Sequence, residues 1–243
     1  MKIKIAILSI SLFFIPKYSI SQNIENVKRI YFGFNFGYAS QNLSGVNRYI
    51  EALKEDNNSS TNSINGGLQY SLYTDYKFFK SPFLLVGAEL SYSDNSTNVN
   101  RILFHNDGIH FTTKVQLQTL ATYLNLSYGY SLSDKIDLSL KSGLGYYQCK
   151  FILQNESSNI QSLNAKETDK ASTFGFHIGV NLNYKIIDII VLNSNLSFNS
   201  AKIDRIKDSQ GNDIWVFDLK DGTRKLEINL SGFQFQIGVG INI

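Results

Sequence analysis

Large apolar side chains recur at every second position in eight separate stretches of this chain, and no other feature restricts its fold so strongly. In the last twelve residues, GFQFQIGVGINI, Phe233, Phe235, Ile237, Val239, Ile241 and Ile243 alternate with Gln234, Gln236, Gly238, Gly240 and Asn242. Strict period two means a strand with two unlike faces, because successive side chains leave opposite sides of the pleat. The same alternation runs through 29–40, 64–78, 82–93, 120–132, 136–147, 172–185 and 188–200.

The second face decides what the first one meets. In 172–185, for example, Phe174, Phe176, Ile178, Val180, Leu182 and Tyr184 oppose Gly175, His177, Gly179, Asn181 and Asn183. A soluble barrel buries its bulky residues and coats the outside with charge. Here the polar face is mostly Gly, Ser, Asn and Gln, which suits the lining of a narrow lumen, with the apolar face toward lipid. Tyr38, Tyr70, Tyr76, Tyr92, Tyr128, Tyr130, Tyr146 and Tyr184 lie toward strand ends on the apolar face, as an interfacial aromatic girdle requires. In hydrocarbon an open strand edge leaves backbone groups unpaired, so the strands must close on themselves. The expected fold is all-β: an eight-stranded antiparallel transmembrane β-barrel whose last strand pairs with its first.

The beginning of the chain reads as an address. Lys2 and Lys4, an apolar run from Ile5 to Ile15, Pro16, and Ser19-Ile20-Ser21 before Gln22 form the pattern of a cleaved secretory signal peptide, so the expected organisation is signal peptide 1–21 and barrel domain 22–243. Residues 1–21 hold Lys2, Lys4 and Lys17 of the 23 basic residues and none of the 20 acidic ones, so removing them leaves the charges balanced. A balanced chain argues against nucleic acid as a partner. Cys149 is the single cysteine, which excludes an internal disulfide.

Connections give orientation. Those near 79–81, 131–135 and 185–188 are short, while 41–63, 94–114, 151–171 and 201–226 are long, so the long ones face outward and both termini face the periplasm. Two long connections contain Asp-Gly pairs, Asp107-Gly108 and Asp221-Gly222, which read as tips of extracellular hairpins. After each, the alternation slips. Val115 and Leu117 are out of phase with Leu120, and Leu226, Ile228 and Leu230 with Phe233, so a β-bulge is expected near 118–119 and another near 231–232. Within the first long connection Val46, Ile50 and Leu53 recur at helical spacing; a short surface helix and an irregular loop both fit, and a helix folded inward as a plug fits as well, though nothing in the sequence requires it.

Candidate chemistry is sparse. Glu89, Lys141 and His177 lie mid-strand on the lumen parity and read as one polar network, either a structural charge pairing or a proton-linked or ligand-binding site. Asp75, Lys77, Asp137 and Lys185 lie nearer the short turns, where solvation is expected. His105 and His110 flank a turn with no third ligand spaced to complete a metal site. No hydrolase constellation or phosphate-cradling loop is visible, so no cofactor or catalytic residue is expected.

The stretch TLATYLNLSYGYSLSDKIDLSLKSGLGYY (119–147) resembles the central hairpin of bacterial outer-membrane β-barrel families, porin-like or OmpA-like, and GFQFQIGVGINI resembles the C-terminal signal read by the barrel-assembly machinery, with Ile243 where an aromatic residue is usual. The resemblance implies an outer-membrane location, outer-membrane lipid and the assembly machinery as partners, and an unidentified extracellular ligand or protein as a further one. The functional expectation is a non-enzymatic barrel displaying long loops for surface interaction or envelope integrity. A narrow pore and a lipid-modifying enzyme are the alternatives.

Overall fold

The computed structural model describes residues 29–53, 62–79, 81–103, 109–157, 164–207, 210–218 and 222–243; the expected signal peptide lies outside them. Eight long strands form the barrel wall: β1 (Arg29–Ser40), β2 (Gly66–Lys77), β3 (Phe83–Leu103), β4 (Ile109–Ser131), β5 (Ile136–Ser157), β6 (Ala165–Lys185), β7 (Ile190–Ile203) and β11 (Gly232–Asn242). Each pairs antiparallel with its neighbour in that order, and β11 closes on β1, with Phe36 opposite Ile237 and Phe32 opposite Ile241. Short β8 (Trp215–Asp218) and β9 (Gly222–Lys225) form a separate hairpin, and β10 (Ile228–Asn229) extends the line of β11 along β7. Asp107, Gly108 and Asp221 lie outside the described residues, while Gly222 opens β9.

The two faces are assigned as the alternation predicts. Phe174 is 78% exposed and Leu124 and Leu144 are each 71% exposed, whereas Asn35, Gln69, Glu89, Asn125, Lys141 and Gln236 are buried within. A barrel with its apolar side chains outside and its amides and charges inside is built for hydrocarbon.

The expected bulges do not form. β4 keeps one register against β3 from Leu103↔Ile109 to Phe83↔Gly129, passing Gln118 and Thr119 without a slip, and one register against β5. β10 and β11 share a single register on β7, from Ile228↔Ile203 to Ile241↔Ile190. What changes is the chemistry of each face. On β4, Tyr123, Ala121, Thr119, Leu117 and Val115 all point inward and are buried. The outward positions meanwhile pass from Leu126, Leu124 and Leu120 to Gln118, Gln116 and Lys114. Beyond the membrane the wall meets water, so its inner face becomes the apolar one.

The wall is also uneven. β3 to β6 run 21 to 23 residues, while β1, β2, β7 and β11 run 11 to 14. Much of the expected connection at 151–171 is therefore strand, continuing to Ser157 and resuming at Ala165. Four strands rise past the others as one sheet, in which β3 beyond Asp94 is, among the described residues, paired as a strand only with β4.

Candidate functional site: a lumen sealed at both ends

β3, β5 and β6 carry Glu89, Lys141 and His177 on their inward faces, near mid-strand. Lys141 Nζ donates to Glu89 Oε2 at 2.6 Å, with both side chains almost fully buried. Two opposite charges so enclosed compensate each other, and each would be costly alone. His177 does not bridge them. Its ring stands edge-on to Tyr123, 4.7 Å between centroids, and neither ring nitrogen has a hydrogen-bond partner. The small inward residues are sockets rather than free space. A side chain at Gly145 would collide with the rings of Tyr123 and Tyr147, the nearest Tyr123 carbon being 2.7 Å from its Cβ position.

The end with the short turns is packed by charges that were expected to be solvated. Lys77 Nζ lies 3.0 Å from Asp137 Oδ2 with both side chains 5% exposed or less, Ser131 Oγ donates to Asp137 Oδ1 at 2.5 Å, and Lys185 approaches at 3.8 Å. Lys77 Nζ also sits 4.0 Å from the centroid of the Phe83 ring. Asp75 is buried as well. The reason is the layer formed by Tyr31, Phe83, Leu85 and Val191, with Tyr73 against it, which excludes water although the turns are near. The signal available in the sequence was the balance of Lys77 and Asp137 on the inward parity.

The end with the long strands is packed by an apolar stopper. The helical spacing of the first long connection is realised as α1 (Ser44–Ala52), which buries Val46 and Ile50. Together with Leu43 they join Val99, Val115, Leu117, Tyr147, Cys149, Phe151, Leu153, Ile203, Ile206, Leu226, Ile228 and Leu230 in one core. A nine-residue helix without a capping side chain is marginal alone, so this packing holds it. Asn47 adds a reciprocal clasp: its amide donates to Ile64 O at 3.0 Å and its Oδ1 accepts from Ile64 N at 2.8 Å. Gly45 lies so close to β10 that a Cβ would stand 2.1 Å from Glu227 O. Burial pushes the Cys149 thiol up to about 11. These residues escaped sequence reasoning as a site, and the out-of-phase Val115, Leu117, Leu226, Ile228 and Leu230 were their trace.

The other expected residues are placed as follows. Phe233, Phe235, Ile237, Val239, Ile241 and Ile243 all face outward, 43 to 75% exposed, at the closure strand. His105 lies outside the described residues, and His110 stands on β4 opposite Ile102. Among the described residues no three His, Cys, Asp or Glu side chains gather as a metal site.

Comparison with known proteins fits this geometry. A family model described as the outer membrane protein beta-barrel domain matches residues 5–242. A search of curated protein sequences finds no match. Among solved structures, the outer membrane protein OprG from Pseudomonas aeruginosa is similar at 12% identity, covering 90% of this chain and 97% of its own, with a TM-score of 0.50. The N-terminal β-barrel domain of Pseudomonas aeruginosa OprF is similar at 13% identity, covering 89% and 97%, with a TM-score of 0.40. At such identity the OprG likeness speaks for the fold alone. The family model, spanning nearly the whole of an inside-out closed barrel, supplies the rest: the chain belongs to the outer membrane protein beta-barrel domain family and is a protein of the outer membrane.

Proposed function

We propose that this protein is a non-enzymatic, closed outer-membrane scaffold that presents a rigid sheet at the cell surface for interaction or envelope integrity. One observation carries the reading: the lumen is stoppered at both ends by packed side chains, while β3 to β6 continue outward as a sheet whose β3 flank has no strand partner among the described residues. The filled interior favours a scaffold over an open conduit, and that flank offers backbone groups that an incoming strand can bond. His177, with neither ring nitrogen bonded, forms no acid–base dyad with a serine or carboxylate.

The narrow-pore reading keeps one observation of its own. Between the two stoppers, Asn125, His177 and Asn195 have buried polar atoms without protein partners, a setting that favours internal water. Planar-bilayer recording separates the two. The scaffold predicts no conductance steps from the full chain. Steps that change with Lys141→Ala would replace it with the pore. The display role is tested by replacing 96–116 with a tight turn and measuring cell retention on an immobilised fibronectin layer and sensitivity to bile salts; a shortened chain that matches the full chain in both removes it.

A further inference from the structure

On the outer face of the wall, beyond the band of exposed apolar side chains, three lysines stand side by side on adjacent chain segments. Lys150 on β5 is directly opposite Lys170 on β6, and Lys170 is bridged to Lys207 on the segment after β7. All three are exposed. Like charges directly opposite one another repel and weaken a ladder, so the row requires an explanation.

The surrounding acids do not supply one. At one end of the row Gln118 pairs with Lys150 and with Asp94, but Asp94 already accepts from Gln116 at 2.7 and 2.9 Å and from Gln118 at 3.4 Å. At the other end Lys207 faces Asp213 and feels its charge, but that carboxylate accepts from Lys225 and is shared with Arg205 as well, so it does not neutralise the row. Asp169, the neighbour of Lys170, is buried on the opposite face. None of the three lysines is in an ion pair among the described residues. Lys202 on β7 is a built-in contrast, bonded at 3.0 Å to both Asp204 and Glu227.

Their height names the counter-charge. Tyr146 and Phe174 form a directly opposite outward pair, ring centroids 5.1 Å apart, and Phe174 is 78% exposed. Outward aromatic pairs of this kind mark the interface between hydrocarbon and headgroups. Lys150 and Lys170 lie four residues further along the same strands. That is about 13 Å of strand and, at the usual tilt, about 10 Å of height. Flexible ammonium side chains at that level reach the headgroup layer.

We propose that Lys150, Lys170 and Lys207 form a docking site for the phosphorylated headgroup of an outer-leaflet glycolipid. A phosphate held between neighbouring ammonium groups replaces their repulsion with charge-assisted hydrogen bonds. The site rests on the membrane placement of the barrel and on its long strands facing the cell exterior, and is independent of the scaffold reading.

The test uses the full chain, folded in zwitterionic detergent, titrated with diphosphorylated lipid A and followed by native mass spectrometry. The wild type should retain lipid A. The triple variant Lys150→Gln/Lys170→Gln/Lys207→Gln should bind at least tenfold more weakly, with Lys170→Gln intermediate and Lys202→Gln unchanged. Heat-modifiable electrophoretic mobility checks that each variant is folded. In lipid-free detergent the triple variant should melt no lower than the wild type, because repulsion has been removed. Monophosphorylated lipid A should bind several-fold more weakly, and millimolar inorganic phosphate should compete poorly. Equal binding by the triple variant, or an equal loss in Lys202→Gln, overturns the site. Efficient competition by inorganic phosphate overturns its assignment to lipid.

Discussion

The inner and outer halves of the barrel share strands, register and side-chain parity, yet their chemistry is inverted. Within the membrane, Leu124 and Leu144 face out and Glu89 and Lys141 face in; beyond it, Gln116 and Lys114 face out and Val115 and Leu117 face in. The backbone is indifferent to the change. The solvent around each half dictates which face carries apolar groups, as expected when every backbone bond is already satisfied within the sheet. The outer half is a small water-soluble protein with a hydrophobic core, grown on the end of a membrane protein with a polar one.

Breaking the polar core should have the largest effect. Lys141→Met leaves Glu89 buried without its partner and should cost about 3–5 kcal/mol, whereas Glu89→Gln/Lys141→Met should recover most of that loss. Urea unfolding of the barrel refolded into lipid vesicles measures both. If the double variant is no better than the single, the pair is not the source of the cost.

The inversion itself is sharpened by three changes along β4. Leu117→Ala empties part of the stopper and should cost about 2–5 kcal/mol. Leu124→Arg places charge against hydrocarbon and should cost about 2–4 kcal/mol. Gln116→Arg, also outward but in water, should stay within about 0.5 kcal/mol of the wild type. Equal penalties for the two arginines would mean that the membrane boundary between them has been misplaced.

The outer core also carries its own reporter. Cys149 is buried and its thiol is held protonated, so a maleimide at neutral pH should label it slowly on the folded protein. Gly45→Val pushes α1 off Glu227 and should raise the labelling rate about tenfold or more, with the membrane half unchanged by heat-modifiable mobility. An unaltered rate would show that α1 does not guard the core.

The smallest effect belongs to the exposed rim. Lys225 donates to the Asp213 carboxylate and holds it below the usual carboxylate range, so this contact stabilises above the unfolded carboxyl value and is lost as pH falls through the folded one. The melting temperature of the folded chain should shift modestly downward below about pH 4. Asp213→Asn should abolish that shift while leaving the barrel intact.

The membrane half was readable from sequence because lipid tolerates no exceptions on one face, so strand, parity and closure all follow from the alternation. The outer half left an equally clear pattern at Val115, Leu117, Leu226, Ile228 and Leu230, but period two says only that two faces differ. It does not say which is wet. A change of surroundings therefore resembled a change of register, and bulges were expected where none exist. Burial of Lys77 and Asp137 was hidden for a related reason: distance from a turn is legible, but the cover provided by Tyr31 and Phe83 comes from other strands. The docking of α1 likewise depends on Glu227 and Ile228, far away in the chain.

The seam between β1 and β11 also governs when this protein can become itself. Ile30 and Ile243 exchange backbone hydrogen bonds at 3.0 and 2.9 Å, so β1, already paired with β2 on one edge, finds a partner for its other edge in β11. Until those last residues arrive, no lipid-compatible structure exists, because seven strands would leave two raw edges in hydrocarbon. Export and folding are thereby forced apart in time: for a protein of the outer membrane, everything from β1 through β11 must cross the inner membrane before β1 can complete its pairing.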